Sequence, residues 1–320
     1  MSLPMNIPTW PTTPTEWRAA LHELPSSPSK IPAFYFAHGR PLLIWPDSAG
    51  PPHVPSDIQN PGGPLSQEFG PALLKKYCPK AIVVFSAHWE TDGETLVSDW
   101  GDEPGANGQY HDFYNFPREV YEAANFESRG SSALSRKLVE MFQKANIQAR
   151  TTTKPEPRGR DGLGELSTGL DHGCTVPFTL MFGKTFNDVP IVAVSIDSSM
   201  RPEKEWALGR ALDGLRSEGV LILAGGLPVH TLHERSSFSL ATAAPIFKDW
   251  SNAILEAASV QHPQARQEVL FNLTNHAGFR RANPREDHFV PLYVAAGAGQ
   301  EGGSKVVCAL YGAPTIAFGI

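Results

Sequence analysis

Short runs of continuously apolar residues restrict this chain to folds with a deeply buried sheet. Residues 81–87 read Ala-Ile-Val-Val-Phe-Ser-Ala, and residues 189–196 read Val-Pro-Ile-Val-Ala-Val-Ser-Ile. Similar runs occupy 31–37, 220–223 and 306–311. The first two runs are rich in β-branched residues and do not alternate between apolar and polar positions. This pattern predicts strands that are covered on both faces, as in a mostly parallel sheet.

Amphipathic helical patterns lie between these runs. Apolar residues recur three or four positions apart in 132–145, 203–216 and 245–258, which predicts helices with one buried face. Alternating strands and helices are typical of α/β folds. We therefore predict one α/β domain with a central, mostly parallel or mixed sheet flanked by helices. This catalytic domain is expected over residues 31–320, after an N-terminal extension over residues 1–30.

Composition excludes several classes of partner. The 320 residues are 41% hydrophobic, and a formal charge of −6 with a pI near 6.0 attracts neither nucleic acid nor anionic membrane. No apolar run approaches the roughly 20 residues of a membrane span. The three cysteines (Cys78, Cys174 and Cys308) are far apart and form no CxxC pair, which favours a reducing compartment. We expect a cytoplasmic enzyme acting on small molecules, and the sequence gives no indication of its oligomeric state.

Histidines follow three of the predicted strands. His38, His88 and His230 each stand directly or shortly after an apolar run. Because ligands of open α/β sheets gather at the carboxyl ends of strands, these imidazoles are predicted to meet at one edge. One such histidine is commonly just a hydrogen-bonded polar residue, but three at matching ends favour a metal site. His233 is an alternative to His230, and imidazole binds iron and zinc alike.

Two further histidines lie in loops. His172 follows Asp171, shortly after a glycine-rich segment over residues 159–169 that is predicted to be mobile. An imidazole exchanges protons near neutral pH, so His172 suits proton transfer; the alternative is an N-cap by Asp171 with His172 exposed. His288 either binds the metal as a fourth ligand or contacts the ligands from outside, or it belongs to the ordinary first turn of a helix.

Two long loops accompany these histidines. Residues 45–63 are rich in proline and glycine, and residues 92–117 are rich in polar and aromatic side chains. Long ordered loops in compact domains often form binding walls or lids. His111 lies among aromatic residues in the second loop, which either line the pocket of a planar substrate or simply pack together.

Seven segments of the chain, in order, resemble the class III extradiol ring-cleavage dioxygenases, and among these the 4,5-DOPA-dioxygenase-like branch. Together they span roughly residues 31–315, nearly the whole chain. No single segment is decisive, but their shared order makes the resemblance specific. The segments are 37–41, 79–89, 111–117, 169–173, 189–197, 230–232 and 286–292.

The resemblance implies a metal centre built from histidines. It implies that His38, His88 and His230 bind the ion, and it adds His288 as a further ligand of this branch. It implies one Fe(II) ion per chain for activity, with Zn(II) as the other ion that such proteins hold. The implied reaction opens a catechol-type ring beside the diol, with a phenolic small molecule and O₂ as the partners.

The resemblance also assigns roles around the metal. It implies that His172 is the acid–base residue and that His111 contacts the substrate; Asp171 is predicted to bind substrate as well. The chain departs from the branch at two positions. Thr231 stands where asparagine is usual, and Arg40 stands where serine is common.

Two other functions fit the same residues. Three imidazoles and a water form a catalytic zinc site, so a zinc-dependent hydrolase with His172 or Glu90 as general base is one alternative. The second is a protein that binds a metal and a phenol without turnover. A separate candidate base beside the ligands argues against the second alternative.

Overall fold

The structure, a computed structural model, describes residues 10–51, 63–158 and 168–320. The strands within these ranges are β1 Ala33–Ala37, β2 Ala81–Thr91, β3 Thr95–Ser98, β4 Glu127–Ser128, β5 Ala149–Thr152, β6 Thr185–Phe186, β7 Ile191–Asp197, β8 Val220–Gly226, β9 Ser304–Cys308 and β10 Thr315–Phe318. The α-helices are α1 Pro14–His22, α2 Gly63–Tyr77, α3 Arg118–Ala123, α4 Ser132–Lys144, α5 His172–Phe182, α6 Pro202–Ala211, α7 Pro245–Ala258, α8 Pro263–Asn272, α9 Phe279–Ala282 and α10 Pro291–Ala298.

An eight-stranded mixed sheet forms the centre of the molecule, in the order β5-β3-β7-β2-β8-β1-β10-β9. The middle strands β7, β2, β8 and β1 pair in parallel, whereas β10 pairs antiparallel with both β1 and β9. Strands β4 and β6 form a separate parallel pair. The carboxyl ends of β1, β2 and β8 therefore meet at one edge of the sheet.

Both faces of this sheet are buried, which confirms the prediction from the apolar runs. In β1, Ala33 and Tyr35 join the hydrophobic core on one face, while Phe34 and Phe36 join the core on the other. In α1, Trp17 packs into the second of these cores. Helix α10 is buried along its whole length and packs against β1, β8 and α6. No helix among the described residues combines the length and apolar character that crossing a bilayer requires.

Some element boundaries differ from those predicted. The helix predicted over 203–216 ends as α6 at Ala211, and a 3-10 helix follows over Asp213–Glu218. The helix whose first turn was predicted to contain His288 begins only at Pro291, and the residues just before it form turns. The loop 92–117 contains β3, and the predicted loops 45–63 and 159–169 lie in part outside the described residues.

Candidate active site

His38 lies directly after the central strand β1. The parallel pairing of β1 with β8 ends at Ala37, opposite Gly226, and the His38 backbone N–H then donates to the Gly226 carbonyl at 3.3 Å. The side chain of His38 is fully buried, at 0% exposure. The carboxyl end of β1 thus holds this imidazole inside the protein rather than in solvent.

His88 lies within β2, so the prediction that this strand ends before it is wrong. The pairing of β2 with β7 shifts register between Phe85 and Glu90, and irregularities of this kind re-aim side chains. The Ser86 hydroxyl accepts a hydrogen bond from the His88 backbone N–H at 3.2 Å. The ring of His88 reaches His38, with 5.1 Å between the two ring centroids.

His230 and His288 come from two loops that backbone hydrogen bonds hold in place. The Leu227 N–H donates to the His288 carbonyl, and the His230 N–H donates to the Ala282 carbonyl, each at 2.8 Å. The two imidazoles stack almost in parallel, with 3.5 Å between centroids and 8° between planes. His288 precedes α10, so it does not belong to the first turn of that helix.

Three of the predicted ligands converge on one point. Within the described ranges, His38, His88 and His288 each contribute one ring nitrogen, and these three nitrogens lie within 4.8 Å of one another. His230 forms a second group of the same kind with His288 and Asp287. The structure therefore brings His38, His88 and His288 together directly, and it places His230 beside this group through its stack on His288.

The protonation and hydrogen bonding of these rings fit a divalent metal ion. Both ring nitrogens of His38 lack a hydrogen-bond partner among the residues that the structure describes, which costs roughly 1–3 kcal/mol per buried group unless another ligand satisfies it. Burial and the neighbouring imidazoles lower the pKa of His38 and His288 well below ordinary values, and burial lowers the pKa of His230 to about 4. Neutral imidazole is the form that binds Fe(II) or Zn(II).

A carboxylate that the sequence analysis did not single out connects two of the histidines. Asp112 Oδ1 lies 2.7 Å from His172 Nδ1 and accepts the His172 backbone N–H at 2.9 Å. Asp112 Oδ2 lies 3.2 Å from His88 Nδ1. The centroids of the His88 and His172 rings are 4.1 Å apart. Asp112 therefore orients a candidate ligand and the candidate acid–base residue together.

Electrostatic interactions favour a charged hydrogen bond between Asp112 and His172. Burial alone lowers the pKa of His172, but the charge and hydrogen bond of Asp112 and the charge of Asp171 outweigh it, so the pKa is raised. Burial alone raises the pKa of Asp112, but His172 and His88 outweigh it and lower the pKa. His172 therefore holds a proton more readily than a free imidazole does.

The start of α5 fixes His172 against β2. Asp171 occupies the N-cap position but makes no capping hydrogen bond, and the His172 side chain is only 12% exposed, so the alternative of a capped helix with an exposed histidine is wrong. The Asp171 carboxylate instead accepts a 2.6 Å hydrogen bond from Ser86 and lies 3.9 Å from the Arg158 guanidinium. A Cβ at Gly173 would meet Ser86 Oγ at 2.7 Å, so only glycine permits this approach.

A small cavity of about 70 Å³ opens beside His88 and Asp112, and Tyr110 and Tyr114 of the aromatic loop line it. His111 does not line this cavity; its ring centroid lies 5.6 Å from those of Phe113 and Tyr121, and burial lowers its pKa. Asp171 is 2% exposed. Substrate contact by His111 and Asp171 stays a prediction, and the surroundings of Asp171 favour a positioning role.

Asp112 was missed because a carboxylate in an aromatic loop belongs to no strand or helix pattern. Its only sequence signal is its place directly after His111. A loop carboxylate beside a candidate histidine is the kind of residue that orients imidazoles in other metal sites.

The sequence matches one protein family and several curated relatives over most of its length. The family model described as the catalytic LigB subunit of aromatic ring-opening dioxygenase matches residues 32–319. A 4,5-DOPA dioxygenase extradiol-like protein of Schizosaccharomyces pombe is 39% identical over 95% of this chain and 97% of its own length. A 4,5-DOPA dioxygenase extradiol of Escherichia coli K12 is 30% identical over 86% of this chain and 88% of its own length.

The fold is also found among solved structures. The crystal structure of an uncharacterised protein from Escherichia coli K12 superposes with a TM-score of 0.60 at 24% sequence identity. The match covers 91% of this chain and 100% of the other. At this identity the likeness concerns the fold alone.

Proposed function

Because the chain belongs to the family of catalytic LigB subunits of aromatic ring-opening dioxygenases, we propose that it opens a catechol-type ring beside the diol with O₂, using one metal ion per chain. Family membership makes the chain an aromatic ring-opening dioxygenase and favours this activity over a zinc hydrolase or a non-catalytic binder. Beyond family membership, we propose the catechol as substrate, the identity of the ion and the roles of the individual residues. Relatives named 4,5-DOPA dioxygenase support a catechol, since DOPA is one.

The observation that carries the proposal is the burial of His38 among other histidines. Its ring is fully buried and both nitrogens lack hydrogen-bond partners in the described ranges, while His88 and His288 face it with ring centroids 5.1 Å away. A cluster of uncharged imidazoles without a ligand to share would be unfavourable. We assign His38, His88 and His288 as ligands, with His230 as the fourth.

The bound ion, Fe(II) for activity and Zn(II) as the alternative occupant, supplies Lewis acidity and, for iron, the electron transfer that O₂ requires. The protein contributes the orientation of its donors. Asp112 holds His88 at Nδ1, so Nε2 is the nitrogen of that ring that would bind the metal. Carboxylate partners of this kind fix the tautomer and orientation of ligand histidines.

Proton transfer is assigned to His172. Its Nδ1 is engaged by Asp112 at 2.7 Å, so Nε2 is the atom that exchanges a proton with the substrate. A neutral His172 takes a proton from a catechol hydroxyl, and the adjacent Asp112 charge stabilises the imidazolium that results. The same proton is then returned during ring opening. General acid–base assistance of this type contributes typically ~10²–10⁴-fold in rate.

The proposal is tested by metal analysis combined with oxygen uptake. Protein reconstituted anaerobically with Fe(II) should consume O₂ and form a yellow ring-opened product with a panel of catechols, and protein loaded with Zn(II) should not. One metal ion per chain is expected by elemental analysis. Zinc-dependent ester or amide cleavage without any oxygen uptake would contradict the proposal.

A further inference from the structure

An arginine in the wall of the small cavity beside His88 bridges two carboxylates. Arg285 Nη1 lies 3.1 Å from Asp287 Oδ2, and Arg285 Nη2 donates a hydrogen bond to Glu90 Oε2. The side chains of Glu90 and Asp287 are only 4% and 8% exposed, whereas that of Arg285 is 27% exposed. All three residues line the cavity together with His88. We call this ion-paired group of Glu90, Arg285 and Asp287 the arginine bridge.

One carboxylate of the arginine bridge holds a proposed metal ligand. Asp287 Oδ1 accepts the backbone N–H of His288 at 2.9 Å and lies 3.2 Å from Nδ1 of the same residue. The other oxygen of this carboxylate, Oδ2, is the one that faces Arg285. Carboxylates placed in this way behind a ligand histidine fix the tautomer and the orientation of its ring. The guanidinium therefore acts on His288 through Asp287.

The other carboxylate fastens the arginine bridge to β2. Glu90 lies on this strand two positions after His88. The rings of His88 and His288 meet nearly at right angles, with 4.8 Å between centroids and 88° between planes. Hydrogen bonds tie the segment of His288 to the residues after β8, as in the 2.9 Å contact from the Asn283 amide to the Pro228 carbonyl. The arginine bridge adds a tie from this segment to β2.

We propose that Arg285 is a positioning residue that fixes His88 relative to His288. It does so by holding the carboxylates of Glu90 and Asp287, which belong to the two segments that carry those rings. This inference rests on the proposed function, because both histidines are assigned there as metal ligands. A planar guanidinium presents several donors in a rigid fork, whereas an ammonium group is a compact point charge on a flexible stem. Tight metal binding therefore depends on a residue whose own charge repels a cation.

The charge of Arg285 gives the proposal a distinctive sign. Two carboxylates and one guanidinium carry a formal charge of −1, and removing the guanidinium leaves −2. By Coulomb's law alone, the more negative group attracts a divalent cation more strongly, so metal affinity would rise. Loss of the arginine bridge instead frees the two ligand segments from each other, so metal affinity falls. The measured direction distinguishes a positioning role from a purely electrostatic one.

The test measures the Zn(II) affinity of the intact chain by competition with a chelator, which requires no turnover. Arg285→Met should bind Zn(II) about 10-fold more weakly than the wild type, the lower end of the range for partners of ligand histidines. Arg285→Lys keeps the charge but lacks the planar fork, so it should also bind Zn(II) more weakly. The visible absorption of the Co(II)-loaded protein should change in Arg285→Met, because it reports the geometry of the ligands.

Arg280→Met is the matched control. Arg280 also pairs with a carboxylate close to His288 in sequence, that of Glu286, but its side chain is 64% exposed and does not line the small cavity. This variant should bind Zn(II) as tightly as the wild-type protein. Urea unfolding of the metal-free proteins measures what each ion pair contributes to stability, separately from metal binding.

The outcomes separate this inference from the proposed function. An affinity equal to or above that of the wild type in either Arg285 variant overturns the positioning role and leaves the proposed function standing. If Arg285→Met does not fold, the affinity of Arg285→Lys decides in the same way. If the wild-type protein binds neither Zn(II) nor Fe(II), the proposed function is overturned, and the positioning role with it. Weaker Zn(II) binding with an altered Co(II) spectrum supports the inference.

Discussion

At the scale of single residues, the carboxylate of Asp112 couples proton transfer to metal binding. One of its oxygens lies 2.7 Å from His172 Nδ1, and the other lies 3.2 Å from His88 Nδ1. Both imidazoles therefore direct their Nε2 atoms away from the same anion. A substitution of Asp112 should impair proton transfer by His172 and metal binding by His88 to different degrees. A residue that only supports the fold would not separate these two effects.

We expect Asp112→Asn to lower turnover by about 10²-fold or more, since acid–base assistance is typically worth ~10²–10⁴-fold. Asp112 raises the pKa of His172, so its removal should move the limb of the pH–rate profile that reports His172 to lower pH. Metal affinity should fall by roughly 10–100-fold, as for other partners of ligand histidines. Asp188→Asn, at an exposed position, serves as the control. An unshifted pH profile would contradict the role of Asp112.

The histidines are expected to separate into two classes on substitution. His38→Ala should empty the metal site, because this ring lies at the centre of the cluster, whereas His172→Ala should keep the metal and lose most turnover. Elemental analysis and oxygen uptake measure the two effects, with the exposed His22→Ala as control. Full metal occupancy in His38→Ala would refute its assignment as a ligand.

At the scale of elements, the strands that hold the site could be predicted, whereas β3 and β5 at one side of the sheet could not. The central strands β1, β2, β7 and β8 are buried on both faces, so their sequences are continuously apolar and stand out. Strands β3 and β5 have four residues each, and their sequences, Thr-Leu-Val-Ser and Ala-Arg-Thr-Thr, carry no such signal. Helix α7 matches its predicted range because its apolar period is unbroken.

Residues of the site could be predicted from the sequence where a histidine closely follows a strand. His38 follows β1 and His230 follows β8 by a few residues, so the rule for strand ends identified both. His288 comes from a turn before α10, whose start at Pro291 agrees with the preference of proline for the first helical turn. Asp112 depends on how a loop folds back across β2, and no local pattern encodes that contact.

The packing of α6 on α10 depends on the absence of a side chain at Gly209. A Cβ at this position would meet the Val294 carbonyl oxygen at 1.9 Å and the Ala298 nitrogen at 2.7 Å. We expect Gly209→Ala to destabilise the fold by about 1–3 kcal/mol through overpacking, as measured by urea unfolding. Gly214→Ala is the control, since nothing lies within 4 Å of its Cβ position. Equal stability of the two variants would contradict this account.

At the scale of the whole molecule, one buried acid is expected to make stability depend on pH. Glu205 in α6 is fully buried and accepts the Asp197 backbone N–H at 2.9 Å. Burial raises the pKa of Glu205 well above the ordinary value of 4.5, and the charge of Asp197 adds to the shift. The folded protein therefore keeps a proton that the unfolded chain releases, and stability falls as pH rises above about 4.5.

Glu205→Gln should remove this dependence, because the amide stays neutral at every pH. The variant should gain stability relative to the wild type as pH rises, by up to about 1.4 kcal/mol per pH unit until the folded pKa is passed. Urea unfolding at pH 5 and pH 8 measures the difference, with the exposed Glu268→Gln as control. A constant difference between Glu205→Gln and wild type at both pH values would refute a protonated Glu205.

The position of β10 has a consequence for biosynthesis. This strand follows the other nine described strands in sequence, yet it lies between β1 and β9 and pairs with both. While Thr315–Phe318 is still inside the ribosome tunnel, β1 has one open side and β9 has no neighbour in the sheet. The sheet of a nascent chain therefore closes only after this strand has left the tunnel, and until then the unpaired side of β1 is open to pairing with other chains.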